Sequence, residues 1–427
     1  MRRCCKVIRT ITLLLISVLV GYVAGSTAFL LGLPSEIRLT EFNTHSINLN
    51  LPLSATFHSE TAAVVKVNDQ PITDNTSVRL QRPVTVQTEN TGTIDMIIGA
   101  FGFPIRRIVL DVVPEIEVIP LGVAIGVRIN TDGVMVLGTN SFLGADGESH
   151  NPSDGLLLGG DLIFRANGIE VERKDALGEI VASSEGDITF HVRRDEEVVE
   201  VTITPITSEV DNIRRLGVWV RDSTKGIGTL TFYNPQTSTF GALGHGILDV
   251  DTKKLMSVLS GYIMPSTVTS VKKGARGAPG ELVGTVDTTH IIGRIITNTI
   301  SGIYGTLEES ARSEIVTRQP MPIAMRSQIL EGPATILTTV SGNEVREFDI
   351  YIENVNRLTT DETKGMVIRI TDPELLQLTG GIVQGMSGSP ILQSGRIIGA
   401  VTHVFVQDPT KGYGIFIESM LDISSQA

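Results

Sequence analysis

Residues 11–33 form a long apolar stretch that contains no charged side chain. About 20 apolar residues are enough to cross a bilayer as a helix. Basic residues precede it, in the segment 1–10, and none lies within it, which predicts a cytoplasmic N-terminus and an extracytoplasmic remainder. Small residues at Ala24, Gly25 and Ser26 would also suit a cleavage site. Residues 11–33 are therefore predicted to be a transmembrane helix or a signal segment, and we favour a retained anchor.

Residues 34–113 show short β patterns. Apolar and polar positions alternate from Ile47 to Leu51, and Val84 to Gln87 is a second strand candidate. Asn68 to Pro71 has the residues of a turn. Nothing in this region has the composition of a reactive site. It is predicted to be a small β domain that acts as a spacer or docking module.

Residues 114–207 carry a more specific series of motifs. An apolar segment contains Leu121-Gly122, and Gly159 to Gly168 includes a Gly-Asp-Leu-Ile run that ends on Asn-Gly. A charged helical segment follows at Glu172 to Ser183, and then an alternating strand at Ile188 to Val192. This order resembles a PDZ domain. The resemblance implies that Leu121 and Gly122 form the loop that binds a peptide carboxylate. The alternative is an unrelated β domain with an Asn-Gly hairpin.

The last region, residues 212–427, consists of short β runs separated by glycine and aspartate, such as Gly228 to Tyr233 and Phe348 to Ile352. That pattern is typical of an all-β barrel or sandwich. A short helix is predicted from Asp372 to Leu378, because Pro373 suits a first helical turn. The fold class predicted for the whole chain is therefore mainly β.

Composition excludes several classes of function. The net charge of −12 argues against nucleic acid as a partner. The two cysteines, Cys4 and Cys5, both precede the apolar stretch, so the body of the protein has no disulfide, thiol nucleophile or cysteine metal site. The seven histidines form no His-x-x-x-His pair, which argues against a zinc hydrolase. No metal or cofactor is predicted.

One turn has the residues that a nucleophile needs. In Gly385-Met386-Ser387-Gly388-Ser389-Pro390, a serine lies between glycines that permit positive φ and close approach of a substrate backbone. The N–H groups of such a turn can converge as an oxyanion hole. Ser387 is the predicted nucleophile and Ser389 the alternative. A tight hairpin without chemistry would also fit this sequence.

A serine nucleophile requires a base, and histidine is the usual one. His245 lies between Gly244 and Gly246, where the backbone can bend, whereas His290 has no comparable setting. His403 follows Thr402 in the strand after the serine turn, so these two residues are candidates for the specificity pocket. Spacing leaves the acid open among six aspartates, namely Asp249, Asp251, Asp287, Asp349, Asp361 and Asp372.

Three segments, 241–252, 380–390 and 399–406, are similar to those of the stage IV sporulation protein B peptidases. This resemblance extends over the whole chain and implies a trypsin-like fold. It implies His245 as general base, Ser387 as nucleophile and Asp372 as the acid. By analogy with Gly-x-Ser-Gly turns, the N–H groups of Gly385 and Ser387 would form the oxyanion hole. Asp372 precedes Ser387 by only fifteen residues (387 − 372), which is unusually close for this arrangement.

The same resemblance implies a biological role. Such peptidases are made in the forespore of endospore-forming bacteria and act in the space between forespore and mother cell. They cleave the membrane protein stage IV sporulation protein FA, which leads to activation of the late mother-cell sigma factor, and they cleave themselves near the N-terminus. The alternative from another class is a membrane-tethered PDZ scaffold or binding protein whose barrel is catalytically silent.

Overall fold

The protein was studied as a computed structural model, which describes residues 33, 35–47, 49–58, 65–72, 76–100, 103–195, 197–357 and 359–424. The predicted anchor or signal segment lies outside these residues except for Leu33. Within the described ranges, no helix combines the length and hydropathy of a membrane span. Strands dominate the described chain, so the prediction of a mainly β protein is confirmed.

The described residues up to Ile116 form the first compact unit, together with described residues of the short segments 324–329 and 356–360. Its strands are β1 (Glu36–Thr40), β2 (Thr44–Ile47), β3 (Ser54–His58), β4 (Val65–Val67), β5 (Gln70–Pro71), β6 (Thr76–Arg79), β7 (Val84–Thr88), β8 (Gly92–Ala100) and β9 (Phe103–Val113).

Two sheets build this unit, with strand orders β1-β9-β8-β3-β6 and β2-β7-β4-β5. Alternate residues of β7 and β8 are buried, as the period of two in the sequence predicts. Residues of both sheets, among them Phe57, Val86 and Ile94, share one apolar core. The strands of this unit lie between Glu36 and Val113, and the predicted domain 34–113 did not include the two later segments.

The second unit holds the remaining strands. They are β10 (Glu117–Thr139), β11 (Phe142–Leu143), β12 (Ser149–His150), β13 (Leu162–Ala166), β14 (Ile169–Glu170), β15 (Ile188–Arg194), β16 (Glu197–Ile203), β17 (Ile206–Thr207), β18 (Arg214–Arg215), β19 (Val218–Asn234), β20 (Thr239–Ala242), β21 (Ser260–Lys272), β22 (Glu281–Val286), β23 (Gly293–Thr299), β24 (Gly302–Leu307), β25 (Met321–Pro322), β26 (Gly332–Thr338), β27 (Arg346–Val355), β28 (Met366–Ile370), β29 (Pro390–Gln393), β30 (Arg396–Val404) and β31 (Lys411–Phe416).

The helices of this unit are short. They are α1 (Lys174–Ser183), α2 (Glu309–Ile315), α3 (Pro373–Thr379) and α4 (Ile417–Ser424), with one 3₁₀ turn at Glu362–Lys364. Asp372 caps α3, and Pro373 occupies its first turn, as the sequence predicts. The helix ends at Gly380, whose φ of 74° is left-handed.

Two β-barrels form the body of the second unit. In the first barrel, β10, β19, β20, β24, β23 and β21 pair in turn, and β21 pairs back with β10 to close the ring. Its core contains Ile125, Phe240 and Ile303. The second barrel is the closed ring β26-β27-β28-β31-β30-β29. Double barrels of this kind are the framework of chymotrypsin-like peptidases.

A smaller lobe is inserted into the first barrel. The first part of β10 belongs to that barrel, whereas its last part, from Val134, joins β13, β15 and β16. These strands and α1 enclose a separate core that includes Leu177, Phe190 and Val192. The chain returns to the barrel through β19.

The structure therefore divides the chain differently from the predicted domains 114–207 and 212–427. Residues 119–130 pair with the barrel part of β19, residues 125–130 also pair with β21, and the lobe core includes Leu216. The sequence pattern predicts two consecutive domains, because both are built from short strands. The insertion is defined by long-range pairing between β10 and β19, which no local pattern reveals.

Candidate active site

The serine turn lies between α3 and β29 and faces the first barrel. Gly385 and Gly388 have φ values of 98° and 95°, which strongly favour glycine. A Cβ on Gly388 would lie 2.2 Å from the Thr229 carbonyl oxygen and 2.5 Å from the Leu243 nitrogen. The turn is therefore seated against the first barrel, and any larger residue at 388 would push it away.

Thr229 clamps this turn, and sequence reasoning missed it. This buried residue of β19 donates its N–H to the Ser387 carbonyl at 3.0 Å and its Oγ1 to the Gly385 carbonyl at 2.7 Å. Thr229 is one of several polar residues in an otherwise ordinary strand. Its role follows only from the contact between barrels, so no sequence signal pointed to it.

The structure distinguishes the two serines. Ser389 is fully buried, and its Oγ donates to the Met386 carbonyl at 2.7 Å. Ser387 is only partly buried, and its Oγ donates to the Thr402 carbonyl at 2.7 Å. Ser387 is therefore the hydroxyl that a substrate can reach, whereas Ser389 holds the turn together.

Two backbone donors of the turn face no acceptor. Among the described residues, the N–H groups of Gly385 and Ser387 make no hydrogen bond, whereas those of Met386 and Gly388 donate to the carbonyls of Val383 and Val401. Buried or half-buried N–H groups are rarely left unpaired. Two such donors beside a reachable hydroxyl are the arrangement that binds a developing oxyanion.

His245 follows β20 in the first barrel, where Leu243 and Gly244 adopt left-handed φ values of 70° and 69°. Its Nδ1 lies 2.9 Å from the Gly246 carbonyl oxygen, which can only accept. The proton is therefore on Nδ1, and Nε2 keeps its lone pair. Burial lowers the pKa of His245 below its usual range, against the opposing effect of the Gly246 carbonyl.

His403 lies directly against His245, with ring centroids 5.0 Å apart and ring planes 37° apart. Its outer edge is exposed. Burial of its inner face, followed by repulsion from His245 and Lys364, lowers the pKa of His403, and Asp361 opposes this shift. The imidazole pair is therefore neutral at neutral pH.

Thr402 joins this group through its backbone. Its carbonyl accepts from Ser387, whereas its buried hydroxyl donates to the Thr363 carbonyl at 2.7 Å. Thr402 and His403 thus lie beside the nucleophile, and only the His403 side chain is open to a ligand. Their role in specificity stays a prediction.

The structure brings His245 and Ser387 to one site, although 142 positions separate them (387 − 245). Gly244, next to His245, lies against Thr402, since a Cβ there would be 3.1 Å from the Thr402 Cγ2. The Ser387 hydroxyl is bonded to Thr402 and not to His245. The hydroxyl must leave the Thr402 carbonyl before it can pair with the imidazole.

Asp372 is not brought to His245. Its Oδ1 accepts from the Leu375 N–H at 2.9 Å, as a helix cap does. Thr363, which contacts Thr402, lies before the strand β28, whereas Asp372 lies after that strand, at its other end. A five-residue strand spans about 16 Å. The role of Asp372 as triad acid therefore stays a prediction. This structure does not bring its carboxylate to the imidazole.

The cap and the acid role of Asp372 can be separated experimentally. Asparagine caps a helix as well as aspartate does, so we expect Asp372→Asn to keep the wild-type melting temperature. Asp372→Ala should lose about 1 kcal/mol of unfolding free energy, because the Leu375 N–H loses its acceptor. Thermal and urea denaturation measure both. Loss of catalysis in the stable Asp372→Asn variant would show that the carboxylate acts on His245.

The other aspartates have separate partners. Asp249 and Asp251 bind Arg221, and Asp287 accepts from Thr289. Asp361 pairs with Lys364 at 2.7 Å and acts on His403 by charge. Asp349 offers its backbone carbonyl to the N–H of Asp372. No described carboxylate bonds to the Nδ1 of His245, whose partner is the Gly246 carbonyl.

The predicted peptide loop at Leu121 and Gly122 lies elsewhere than expected. Leu121 is buried in the first barrel, and the Gly122 carbonyl accepts from Thr339 at 3.1 Å. A Cβ on Gly122 would come within 2.8 Å of the Leu337 Cβ. This prediction is corrected: the pair belongs to the contact between the barrels, where no peptide carboxylate can enter.

The lobe has a groove of the kind that a peptide-binding loop would border. The cavity, of about 330 Å³, lies between α1 and residues 213–220. Gly217 has a φ of 69°, and a Cβ there would lie 2.5 Å from the Asn140 carbonyl oxygen. The sequence signal was a second Leu-Gly pair, Leu216-Gly217, followed by the alternating residues Val218, Trp219 and Val220.

The strand beside this groove has one open edge. Val218 to Val220 pair with β10 on one side, and no described strand pairs with their other edge. Trp219 is 64% exposed and lines the groove with Leu177 and Val181 of α1. An open strand edge next to an apolar groove suits an extended peptide.

One set of metal-ligand side chains was found among the described residues. Asp146, Glu148 and His150 place ligand atoms within 4.8 Å of one another on the surface of the lobe. His150 and Asp146 already pair at 2.7 Å. Exposed groups commonly form such pairs, and this set is separate from the serine turn.

Comparison with known proteins identified one family. Residues 212–421 match the family model described as SpoIVB peptidase S55. Among solved structures, the chain is similar to the Rv3671c protease of M. tuberculosis H37Rv in its inactive form, with 11% identity over 47% of this chain and 83% of that chain, at a TM-score of 0.28. No curated protein matches the chain.

Two further structures are similar at the same 11% identity. The thermostable serine protease AL20 from an extremophilic microorganism is matched over 48% of this chain and 92% of that chain, with a TM-score of 0.30. The HtrA-type protease AlgW with a decapeptide is matched over 51% and 57%, with a TM-score of 0.28.

A reachable serine, a histidine with a free Nε2 and two unpaired N–H groups define a serine endopeptidase. The family match indicates the kind of serine peptidase that the chain resembles. Residues 212–421 match the SpoIVB peptidase model, as the three sequence segments predicted.

Proposed function

We propose that this protein is a sporulation signalling serine endopeptidase. The observation that carries the proposal is the meeting of Ser387 from the second barrel with His245 from the first. The SpoIVB family match supports both the peptidase activity and its place in sporulation.

Acyl transfer at this site would proceed through the residues described. The Ser387 hydroxyl leaves the Thr402 carbonyl, passes its proton to the His245 Nε2, and attacks the peptide carbonyl carbon. As the new C–O bond forms, the carbonyl electron pair moves to oxygen, where the N–H groups of Gly385 and Ser387 bind it. The protonated His245 then gives its proton to the leaving amine as the C–N bond breaks. Water repeats these steps to release the acid.

The Gly246 carbonyl would act on the other side of the imidazole. By accepting from Nδ1–H, it keeps Nε2 unprotonated in the resting enzyme and stabilises the imidazolium that forms during the reaction. Asp372 is the acid that the family resemblance proposes for this task. The Asp372→Asn experiment decides whether a carboxylate assists the Gly246 carbonyl.

The finer biological role is proposed from the family resemblance. The substrate would be a membrane protein of the stage IV sporulation protein FA type, and the enzyme would also cleave itself. An N-terminal helix over residues 11–33 would hold it on the forespore side of the intermembrane space. The absence of charge from that segment supports the anchor.

We further propose that the lobe is a PDZ-type module whose ligand lies in the groove beside α1. An extended peptide would add to the open edge of Val218 to Val220, with its end at Leu216-Gly217. The same groove would serve a scaffold protein with a silent barrel, which is the alternative function. Labelling of Ser387 by a fluorophosphonate separates the two.

A substitution that fills the groove tests this part of the proposal. A Cβ on Gly178 of α1 meets no atom within 4 Å, so Gly178→Leu can extend into the groove without a clash. We expect peptide affinity to fall at least tenfold while the melting temperature is unchanged or higher, because leucine favours a helix more than glycine does. Binding of a fluorescent peptide library with free and amidated C-termini measures the effect.

The matched control is Gly186→Leu. Gly186 is exposed on the same lobe, has equally open space around its Cβ, and does not line the groove. It should bind the same peptides as wild type. Equal peptide binding by wild type and Gly178→Leu would place the ligand elsewhere.

A further inference from the structure

Arg221 connects the groove strand to the catalytic histidine. It follows Val220 in β19, and its guanidinium donates to the carboxylates of Asp249 and Asp251, the latter at 2.9 Å. The Asp249 side chain is 0% exposed and Arg221 28% exposed. A buried carboxylate requires such a partner, because an unpaired charge in the interior is costly.

Asp249 in turn organises the loop that follows His245. Its Oδ1 accepts from the N–H groups of Asp251 and Thr252, at 3.0 and 2.8 Å. Its own N–H donates to the Lys254 carbonyl at 2.9 Å, and its carbonyl accepts from Lys253. Residues 249–254 therefore form a closed loop around the Asp249 carboxylate. The ion pair between Asp249 and Arg221 holds this loop to the lobe.

This loop supports the residue that orients the base. Leu255 packs on Gly246, since a Cβ on Gly246 would lie 2.5 Å from the Leu255 Cδ1. The Met256 N–H donates to the Ile247 carbonyl at 3.0 Å, and Asn298 binds both of these backbones. The Gly246 carbonyl, held in this way, accepts from the His245 Nδ1. A shift of the loop would move the imidazole.

The neighbouring residue, Asp222, binds the other side of the groove. Its carboxylate accepts from the Lys174 N–H at 3.0 Å, which caps the first turn of α1. Consecutive residues of one strand thus hold the groove helix and the histidine loop. Displacement of that strand would be felt at both.

We propose that Arg221 is a positioning residue for the general base, and that it mechanically ties the groove strand to the loop 249–254. The proposal rests on the proposed serine peptidase function. The ion pair between Arg221 and the buried Asp249 carboxylate holds the loop, and the loop holds the Gly246 carbonyl against the His245 Nδ1.

A double-mutant cycle tests the pair. We expect Arg221→Gln and Asp249→Asn each to lower the rate of fluorophosphonate labelling about tenfold or more. The double variant should be no slower than the slower single variant, because both substitutions break the same contact. Arg221→Lys should recover only part of the rate, since an ammonium does not reproduce the two-pronged contact with Asp249 and Asp251.

The control is Arg294→Gln, which breaks the ion pair of Arg294 with Glu308 at the surface of the first barrel. It should label at the wild-type rate. A structural readout that does not need activity accompanies the kinetics. Amide hydrogen exchange of residues 246–256 should speed up in Arg221→Gln and stay unchanged in Arg294→Gln.

Two results would overturn the proposal. One is unchanged exchange in 246–256 when Arg221 is replaced, and the other is additive effects of the two substitutions on labelling. Failure of the peptidase function looks different: wild type would not label at all, while the exchange experiment would still report whether Arg221 holds the loop.

Discussion

Ser387→Ala is expected to remove peptidase activity altogether while the protein stays folded. The Ser387 Oγ is the hydroxyl that can reach a substrate, and its loss should lower the rate by several orders of magnitude. Its one hydrogen bond, to the Thr402 carbonyl, contributes little to folding. Fluorophosphonate labelling measures reactivity, and mass spectrometry of the full-length chain reports the proposed self-cleavage and the fate of the N-terminal segment.

Ser389→Ala is the matched control within the same turn. Ser389 is buried and bonded to the Met386 carbonyl, so its loss should reduce stability but leave a residue that labels. Self-cleavage by Ser387→Ala at the wild-type rate would show that Ser387 is not the nucleophile. Absence of labelling in wild type under every condition would instead favour the scaffold with a silent barrel.

His245→Gln should slow labelling of Ser387 by about a thousandfold or more, because the Nε2 that takes the serine proton is lost. The pH dependence follows from the direction of the pKa shift. Only the neutral imidazole accepts the serine proton, and burial disfavours the protonated form. Activity should therefore persist as pH falls through the usual histidine value of 6.5 and be lost only at lower pH. Labelling rates between pH 4 and 9 measure this limb.

His290→Gln provides the control for this prediction. His290 is exposed, and its charge acts on Asp287, away from the serine turn. The substitution should therefore leave both the labelling rate and its pH profile unchanged. An acid limb at or above pH 6.5 in wild type would contradict the assignment of the buried His245 as base. Wild-type labelling by His245→Gln would contradict it directly.

The resting geometry indicates how the site becomes active. The Ser387 hydroxyl is bonded to a backbone carbonyl of β30, and the His245 ring is stacked on His403. Both side chains lie at one site but do not bond to each other. Thr229 fixes the turn itself to the first barrel, so activation requires the Ser387 hydroxyl to leave the Thr402 carbonyl.

Local sequence was sufficient for the chemistry of the serine turn. Positive φ at Gly385 and Gly388 follows from the residue type, and so does the bend at Gly244 beside His245. The cap at Asp372 and the end of α3 at Gly380 are also local features. Such features depend only on neighbours a few positions apart, where backbone sterics and hydrogen bonding decide the outcome.

Distant segments that share a local pattern could not be distinguished from sequence. Leu121-Gly122 and Leu216-Gly217 both match an apolar-glycine loop, yet the first is packed against Leu337 and the second borders the groove. Asp372 matched the family pattern for an acid, but the strand β28 separates it from the site. Residue type and spacing do not tell a residue at the site from a similar residue elsewhere. Only the packing between strands does.

The sequence alone determined that this is a mainly β protein with a glycine-framed serine and a glycine-framed histidine, because alternation and backbone freedom are encoded within a few residues. The tertiary structure decided that the lobe is inserted into the first barrel, which aspartates pair with arginine, and which hydroxyl is exposed. The physical reason is that these features depend on contacts between residues that are not neighbours in the sequence, such as the pairing of Ile119 with Tyr233. Such pairings are selected by burial of the whole core.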